Sequence, residues 1–359
     1  MDPVCFSNFI VMKNSICLFL LFLPLLIAAQ PRTIGQIVRL DPALDALIDV
    51  QAPIEVLAEG FQWSEGPAWV KAGGYLLFSD VPKNTVYRWK DGEGITEFLK
   101  PSGYTGRGAY SHEPGSNGLT IGLDGRLIAC EHGDRRVSVM PLEGGGKRTL
   151  ADNHNGARFN SPNDVVQASN GDIYFTDPPY GLPNHENDST REAPVFGVYR
   201  IAMASREPAG NRKGRLPGSN GPTTLLISDL TRPNGLVFSP DEKMLYVAQS
   251  DPQKPVIMAY PVLPDGTVGA GRVFFDAKPL ADSGLRGLPD GLRVDVHGNV
   301  FTTGPGGVLI LSPAGKLLGR IDTTQPTANC GWGDDGSVLY ITANNYLCRV
   351  KTKTMGVFR

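Results

Sequence analysis

Six residues recur at matching places along the chain: Glu65, Asn117, Asn163, Asn234, Asp290 and Asn329. Each is a carboxylate or a carboxamide, and each opens a short segment: EGPAWV, NGLTIG, NDVVQA, NGLVFS, DGLRVD and NCGWGD. One such Asn-Gly or Asp-Gly pair needs no more than a strand start with a local side chain-to-backbone turn. Six in one register, with the two acids in different segments, ask for more. If they converge, they make a cluster of oxygen donors that is costly to bury unpaired. A hard divalent cation satisfies such a cluster. Calcium takes carboxylate, amide carbonyl and water oxygens in irregular geometry, while magnesium, manganese and zinc are also admitted.

A repeat brings these anchors together. Each opens an alternating apolar run that reaches a turn seven residues on at Asp124-Gly125, Asn170-Gly171, Asp241 and His297-Gly298, eight at Gly73 and six at Asp335-Gly336. Asp-Gly and Asn-Gly between alternating runs are strong hairpin signals, because both residues tolerate positive φ. Second runs follow (YLLFSD, RLIACE, DIYFTD, MLYVAQ, NVFTTG and SVLYIT), each ending in a polar residue or glycine, and most units add a third. Anchor spacings of 52, 46, 71, 56 and 39 residues put the longest insertion between Asn163 and Asn234. Six units of three or four antiparallel strands predict an all-β chain, a six-bladed β-propeller whose innermost strands line a central channel. A two-sheet sandwich gives no reason for six copies of one register. Only thirty residues follow Asn329, too few for a full blade. The IEVLAEG segment before Glu65 is therefore expected to supply the missing outer strand and close the ring within one domain, 31–359.

The composition agrees. With 359 residues, 41% hydrophobic and a net charge of -2, the chain is too apolar for intrinsic disorder and lacks the basic footprint of a nucleic-acid binder. Only 19% of residues are charged and 43 are glycine, which favours short strands and tight turns. Residues 1–30 read as a signal peptide: Lys13 precedes a fourteen-residue apolar run, Ile16 to Ala29, that ends in Ala28-Ala29. A secreted or periplasmic protein is the expectation, with no membrane association after cleavage. The remaining Cys130, Cys330 and Cys348 allow one disulfide, for which Cys330 with Cys348 is the sequence-local candidate. There is no GxSxG nucleophile elbow and no HExxH zinc spacing.

In their order, SEGPAW (64–69), PGSNGL (114–119), SPNDVV (161–166), RPNGLVFSPD (232–241) and LPDGLRVD (288–295) resemble the SMP-30/gluconolactonase/luciferin-regenerating-enzyme-like propellers, from about Phe61 onward. The resemblance implies one divalent metal on the channel axis, calcium foremost, held by Glu65, Asn163, Asn234 and Asp290. It implies hydrolysis of a sugar lactone, with glucono-1,5-lactone as the type substrate. Asp290 would be the general base or the group that orients the attacking water, and Asn117 and Asp164 would sit near substrate hydroxyls. Many members carry an arginine two residues before the third-blade asparagine. Ser161 stands there in this chain, with Arg158 three residues earlier, so that contact is left open.

Three histidines are further candidates. His112 precedes an inner strand and could reach the pocket mouth, His132 ends a second run where it could face the rim, and His154 leads toward the third anchor. Each could bind substrate or carry a proton, and each could equally make ordinary loop hydrogen bonds. Two other functions use the same scaffold: hydrolysis of a different lactone or a phosphotriester, or non-enzymatic binding of a ligand or partner around a structural ion.

Overall fold

The alternating runs become antiparallel ladders in the computed structural model, which describes residues 1–4, 31–203 and 222–358. The proposed signal run lies outside the described residues. From Pro31 onward the chain forms one unit. Six sheets follow in order: blade 1 (64–99), blade 2 (116–151), blade 3 (165–227), blade 4 (233–276), blade 5 (292–322) and blade 6 (329–351). Their inner strands neighbour one another in sequence order, and the last, Asn329–Gly333, lies against the first, Ser64–Val70. The architecture is the expected six-bladed propeller.

Blades 1 to 4 each form all four strands from their own segment. Blade 6 forms three, and its fourth is Glu55–Glu59, antiparallel to Tyr346–Lys351. A fifth strand on blade 5, Gln36–Arg39 paired with Leu317–Asp322, was not expected from the sequence. Its four residues bury only Ile37, too little for a periodic signal.

Six apolar clusters fill the spaces between blades, one per seam. At the closing seam Tyr340 of blade 6 stacks on Trp69 of blade 1 at 5.5 Å. Close packing near the axis explains the glycine that follows four of the anchors, Glu65, Asn117, Asn234 and Asp290. A Cβ on Gly235 would stand 2.3 Å from Asp290 O, and one on Gly291 would stand 1.9 Å from Asn329 Oδ1. Any side chain there would drive the neighbouring blade outward.

The three cysteines are free and buried. Cys330 and Cys348 both pair with Ile341, from opposite sides, so a whole strand separates them. Two strand spacings amount to roughly 9.5 Å, beyond the ~7 Å that a disulfide spans. The candidate bridge therefore does not form.

Candidate functional site

Five of the six anchors, Glu65, Asn117, Asn163, Asn234 and Asp290, line one cavity of about 390 Å³ on the axis. Backbone irregularity aims them. In blades 1, 2 and 4 the inner-strand ladder is interrupted between Glu65 and Ala68, Ser116 and Leu119, and Pro233 and Leu236. A bulge at the anchor turns its side chain out of the sheet and into the channel. In blades 3 and 5 the inner strands begin only at Val165 and Leu292, after the anchor.

In blades 1, 3 and 4 the polar ends of the second strands hold the approach to the anchor. Asp80 accepts from Gln62 N and Trp63 N, and Asp177 accepts from Asn160 N and Ser161 N at 2.8 Å each. Gln249 Oε1 accepts from Thr231 N at 3.0 Å. In each case the loop is fixed two or three residues before the cavity residue. Ser161, which stands where an arginine contact was left open, donates to Pro178 O at 2.5 Å instead of reaching the cavity.

The donor atoms are oriented one by one. His132 Nδ1 lies 3.1 Å from Glu113 O, which makes it the protonated nitrogen and leaves Nε2 to accept from Asn163 Nδ2 at 3.4 Å. Burial holds this imidazole neutral, with its pKa down at about 4. Asn234 Nδ2 donates to Ser250 Oγ at 2.9 Å, and that hydroxyl donates in turn to Pro289 O. Both amides thereby keep Oδ1 free of protein donors. Glu65 Oε2 accepts from Gly66 N at 2.9 Å and from Asn329 Nδ2 at 3.1 Å. Asn329 is thus tied to Glu65 and does not line the cavity.

The electrostatics are lopsided. Burial, helped by the charge of Asp164, pushes the Glu65 carboxyl up to about 8. Burial, then the charges of Glu65 and Asp164, raises Asp290 well above the usual carboxylate range. Among the described lining residues Arg232 is the one cation, and its Nε is held by Glu186 at 2.7 Å. Two acids that resist ionising, beside amide oxygens with no donor, form an all-oxygen set short of positive charge. Those residues fit a hard divalent cation, for which carboxylates and amide carbonyls are the natural ligands. No cluster of three or more His, Cys, Asp or Glu side chains suited to a metal occurs among the described residues. The asparagines must therefore supply part of the set.

Other candidates lie elsewhere. His112 is exposed and does not line the cavity. His132, fully buried, stands behind Asn163 as its positioning residue. Asp164 is 1% exposed and is not among the residues lining the cavity; its Oδ1 accepts from Val165 N at 2.8 Å. His154 bonds Thr223 Oγ1 at 3.0 Å in blade 3.

Several cavity residues escaped the sequence reading: Trp63, Glu113, Tyr180, Arg232, Ser250 and Thr327. Arg232 had a signal, since it stands two residues before the blade 4 anchor within RPNGL. Tyr180 arrives on the long blade 3 insertion, where no register exists to find it. Its hydroxyl is buried without a protein partner. Glu113 sits at the rim with its carboxyl raised to about 7 by burial.

Comparison with known proteins places this geometry. The SMP-30/Gluconolactonase/LRE-like region matches residues 63–345. A gluconolactonase of Zymomonas mobilis is 41% identical over 329 residues, covering 90% of this chain and 88% of its own. The crystallised gluconolactonase of Xanthomonas campestris superposes with a TM-score of 0.74 at 30% identity, over 90% of this chain and 96% of that one. Regucalcin of Agrobacterium tumefaciens, a calcium-binding protein, shares the fold at a TM-score of 0.64 and 18% identity, over 85% of this chain and 95% of its own.

Proposed function

This chain belongs to the SMP-30/gluconolactonase/LRE-like family, and on that footing we propose that it is a lactone hydrolase acting on a sugar lactone of the glucono-1,5-lactone kind. The observation that carries the reading is the axial cavity, where the oxygen-bearing side chains of Glu65, Asn163, Asn234 and Asp290 face one space. Glu65, Asn163, Asn234 and Asp290 would hold a divalent cation, calcium being the best match to an all-oxygen set. When bound, such a cation supplies Lewis acidity to a carbonyl oxygen and offsets the charge of the two acids.

The chain's own groups supply the rest. Asp290 accepts a proton from the attacking water, or orients that water, and returns the proton to the ring oxygen as the acyl C–O bond breaks. Its carboxylate accepts from Gly291 N, which orients it. Arg232, pinned at Nε, keeps its two outer nitrogens for substrate oxygens, and Asn117, Tyr180 and Thr327 offer further polar contacts. Trp63, Leu288 and Pro326 wall the cavity with apolar surface. A ring of hydroxyls with one carbonyl suits that mixture.

The test is turnover of a panel of aldonolactones, with a simple phosphotriester beside them, after chelation and after return of Ca²⁺, Zn²⁺ or Mn²⁺. Hydrolysis of a sugar lactone that chelation abolishes and a divalent ion restores is the expected result. Rates indifferent to chelation would remove the cation from the reading, and hydrolysis of the phosphotriester alone would replace the substrate. The N-terminal run makes export, to the periplasm or the medium, part of the same reading; recovery of activity in the cytosolic fraction would contradict it.

A further inference from the structure

Six buried side-chain polar atoms lack a partner among the described residues, and three of them fall together on Tyr110, Ser111 and Arg135. Tyr110 and Arg135 line a second cavity, of about 360 Å³, which shares no lining residue with the axial one. Arg135 is 3% exposed. Its protein partners are neutral oxygens: Phe159 O at 2.6 Å, Thr190 O at 3.0 Å and Thr190 Oγ1 at 3.4 Å. Its Nη2 has none. A second guanidinium, Arg158, lines the same cavity and bonds only the main-chain oxygen of Asp134, at 3.1 Å. Asp134 is the one acid in the lining, and its carboxylate is engaged by Arg136 at 3.2 Å and by Thr105.

Buried Arg135 and exposed Arg158 repel one another across this cavity, and the nearby acids Asp177 and Glu192 act on Arg135 through space without bonding it. A buried guanidinium with no carboxylate in hydrogen-bond contact has its desolvation cost only partly compensated. An oxyanion between them removes both penalties, because guanidinium nitrogens bind carboxylate and phosphate oxygens with charge-assisted hydrogen bonds. The Tyr110 hydroxyl, held against Tyr104 by ring stacking at 5.0 Å, offers one more donor.

We propose that the Arg135–Arg158–Tyr110 cavity is a binding site for a small oxyanion, a carboxylate or a phosphate, separate from the axial site. The segment carrying Tyr104 and Tyr110 continues to Glu113, which lines the axial cavity, so an anion bound here seats the loop that borders the other site. The proposal does not depend on the lactonase reading.

The test is calorimetric titration of the full chain with inorganic phosphate and, separately, with gluconate as a sugar-acid carboxylate, in chloride buffer. Arg158→Gln and Tyr110→Phe are the variants, since Arg135 is too deeply buried to replace safely. Tyr110→Phe deletes a hydroxyl that no protein atom uses, so the melting temperature should stay within about 2 °C of the parent. The expected result is saturable binding of at least one anion, weakened about tenfold in each variant. Gluconate alone would identify a sugar-acid site, and phosphate alone a phosphate site. Binding that both variants leave unchanged would overturn the assignment. So would the absence of saturable binding by either anion up to about 10 mM.

Discussion

The axial cavity and the arginine cavity are opposite in charge and in construction. The first gathers acids and amide oxygens with a single arginine at its wall; the second gathers two arginines around a carboxylate already engaged elsewhere. Each leaves charge where burial makes that costly, and on the two proposals above each would take an occupant of the opposite sign. The axial donors come from one register position in successive blades, whereas the arginine cavity is assembled from four separate segments. Register makes a site repeat, and loops make a site singular.

The largest effect should come from breaking the acid side. Asp290→Asn keeps the shape and removes the proton acceptor, so lactone kcat should fall by about 10³ or more. In cation-free protein the same change relieves repulsion with Glu65, so its melting temperature should hold or rise. A large fall in that temperature would show Asp290 to be a structural acid. Chelation comes next. A cation present at about 100 times its dissociation constant stabilises the fold by roughly 2.7 kcal/mol, so stripping it should lower the melting temperature by several degrees in the parent and much less in Asp290→Asn. Differential scanning calorimetry of the four samples reads this directly.

His132→Phe sharpens the account of how the amides are aimed. It frees Asn163 to rotate without touching the cavity lining, and divalent affinity should drop about tenfold while the protein stays folded. Unchanged affinity would mean that the imidazole does not orient the amide. Arg232→Ala should raise KM about tenfold with kcat little changed, the signature of an arginine that grips substrate rather than acting at the reacting carbonyl. The smallest effect is the control on the other cavity: Arg158→Gln should leave lactone kcat/KM within about twofold of the parent when no added anion is present.

The parts legible in the sequence were those that repeat. The turn seven residues later marked the register of Asn117, Asn163, Asn234 and Asp290, with a following glycine at all but Asn163, and register alone carried them to one axis. Asn329 shows the limit of that logic. It shares the register, yet the close approach at Gly291 and the hydrogen bond to Glu65 turn it into a support. Asp164 adjoins Asn163 in sequence yet lies outside the cavity lining, and His132, 31 positions from Asn163, reaches it only through the packing of blade 2 on blade 3. Tyr180, Glu113 and Arg135 lie on loops, whose paths depend on long-range packing and leave no period to read.

The ring closes with strands drawn from opposite ends of the chain. Residues 55–59 pair with 346–351, and Asn329 bonds Glu65 across 264 positions. During synthesis the earliest strands therefore wait for the latest. The first blades can pair internally as they emerge, but residues 36–39 have no partner until 317–322 exist, and 55–59 have none until the final blade is made. The axial cavity, which needs Glu65 and Asp290 in their final places, is thus a late product of assembly. A chain cut short in its last blade would lose the seam that fixes Glu65, and with it the geometry of the axial cavity.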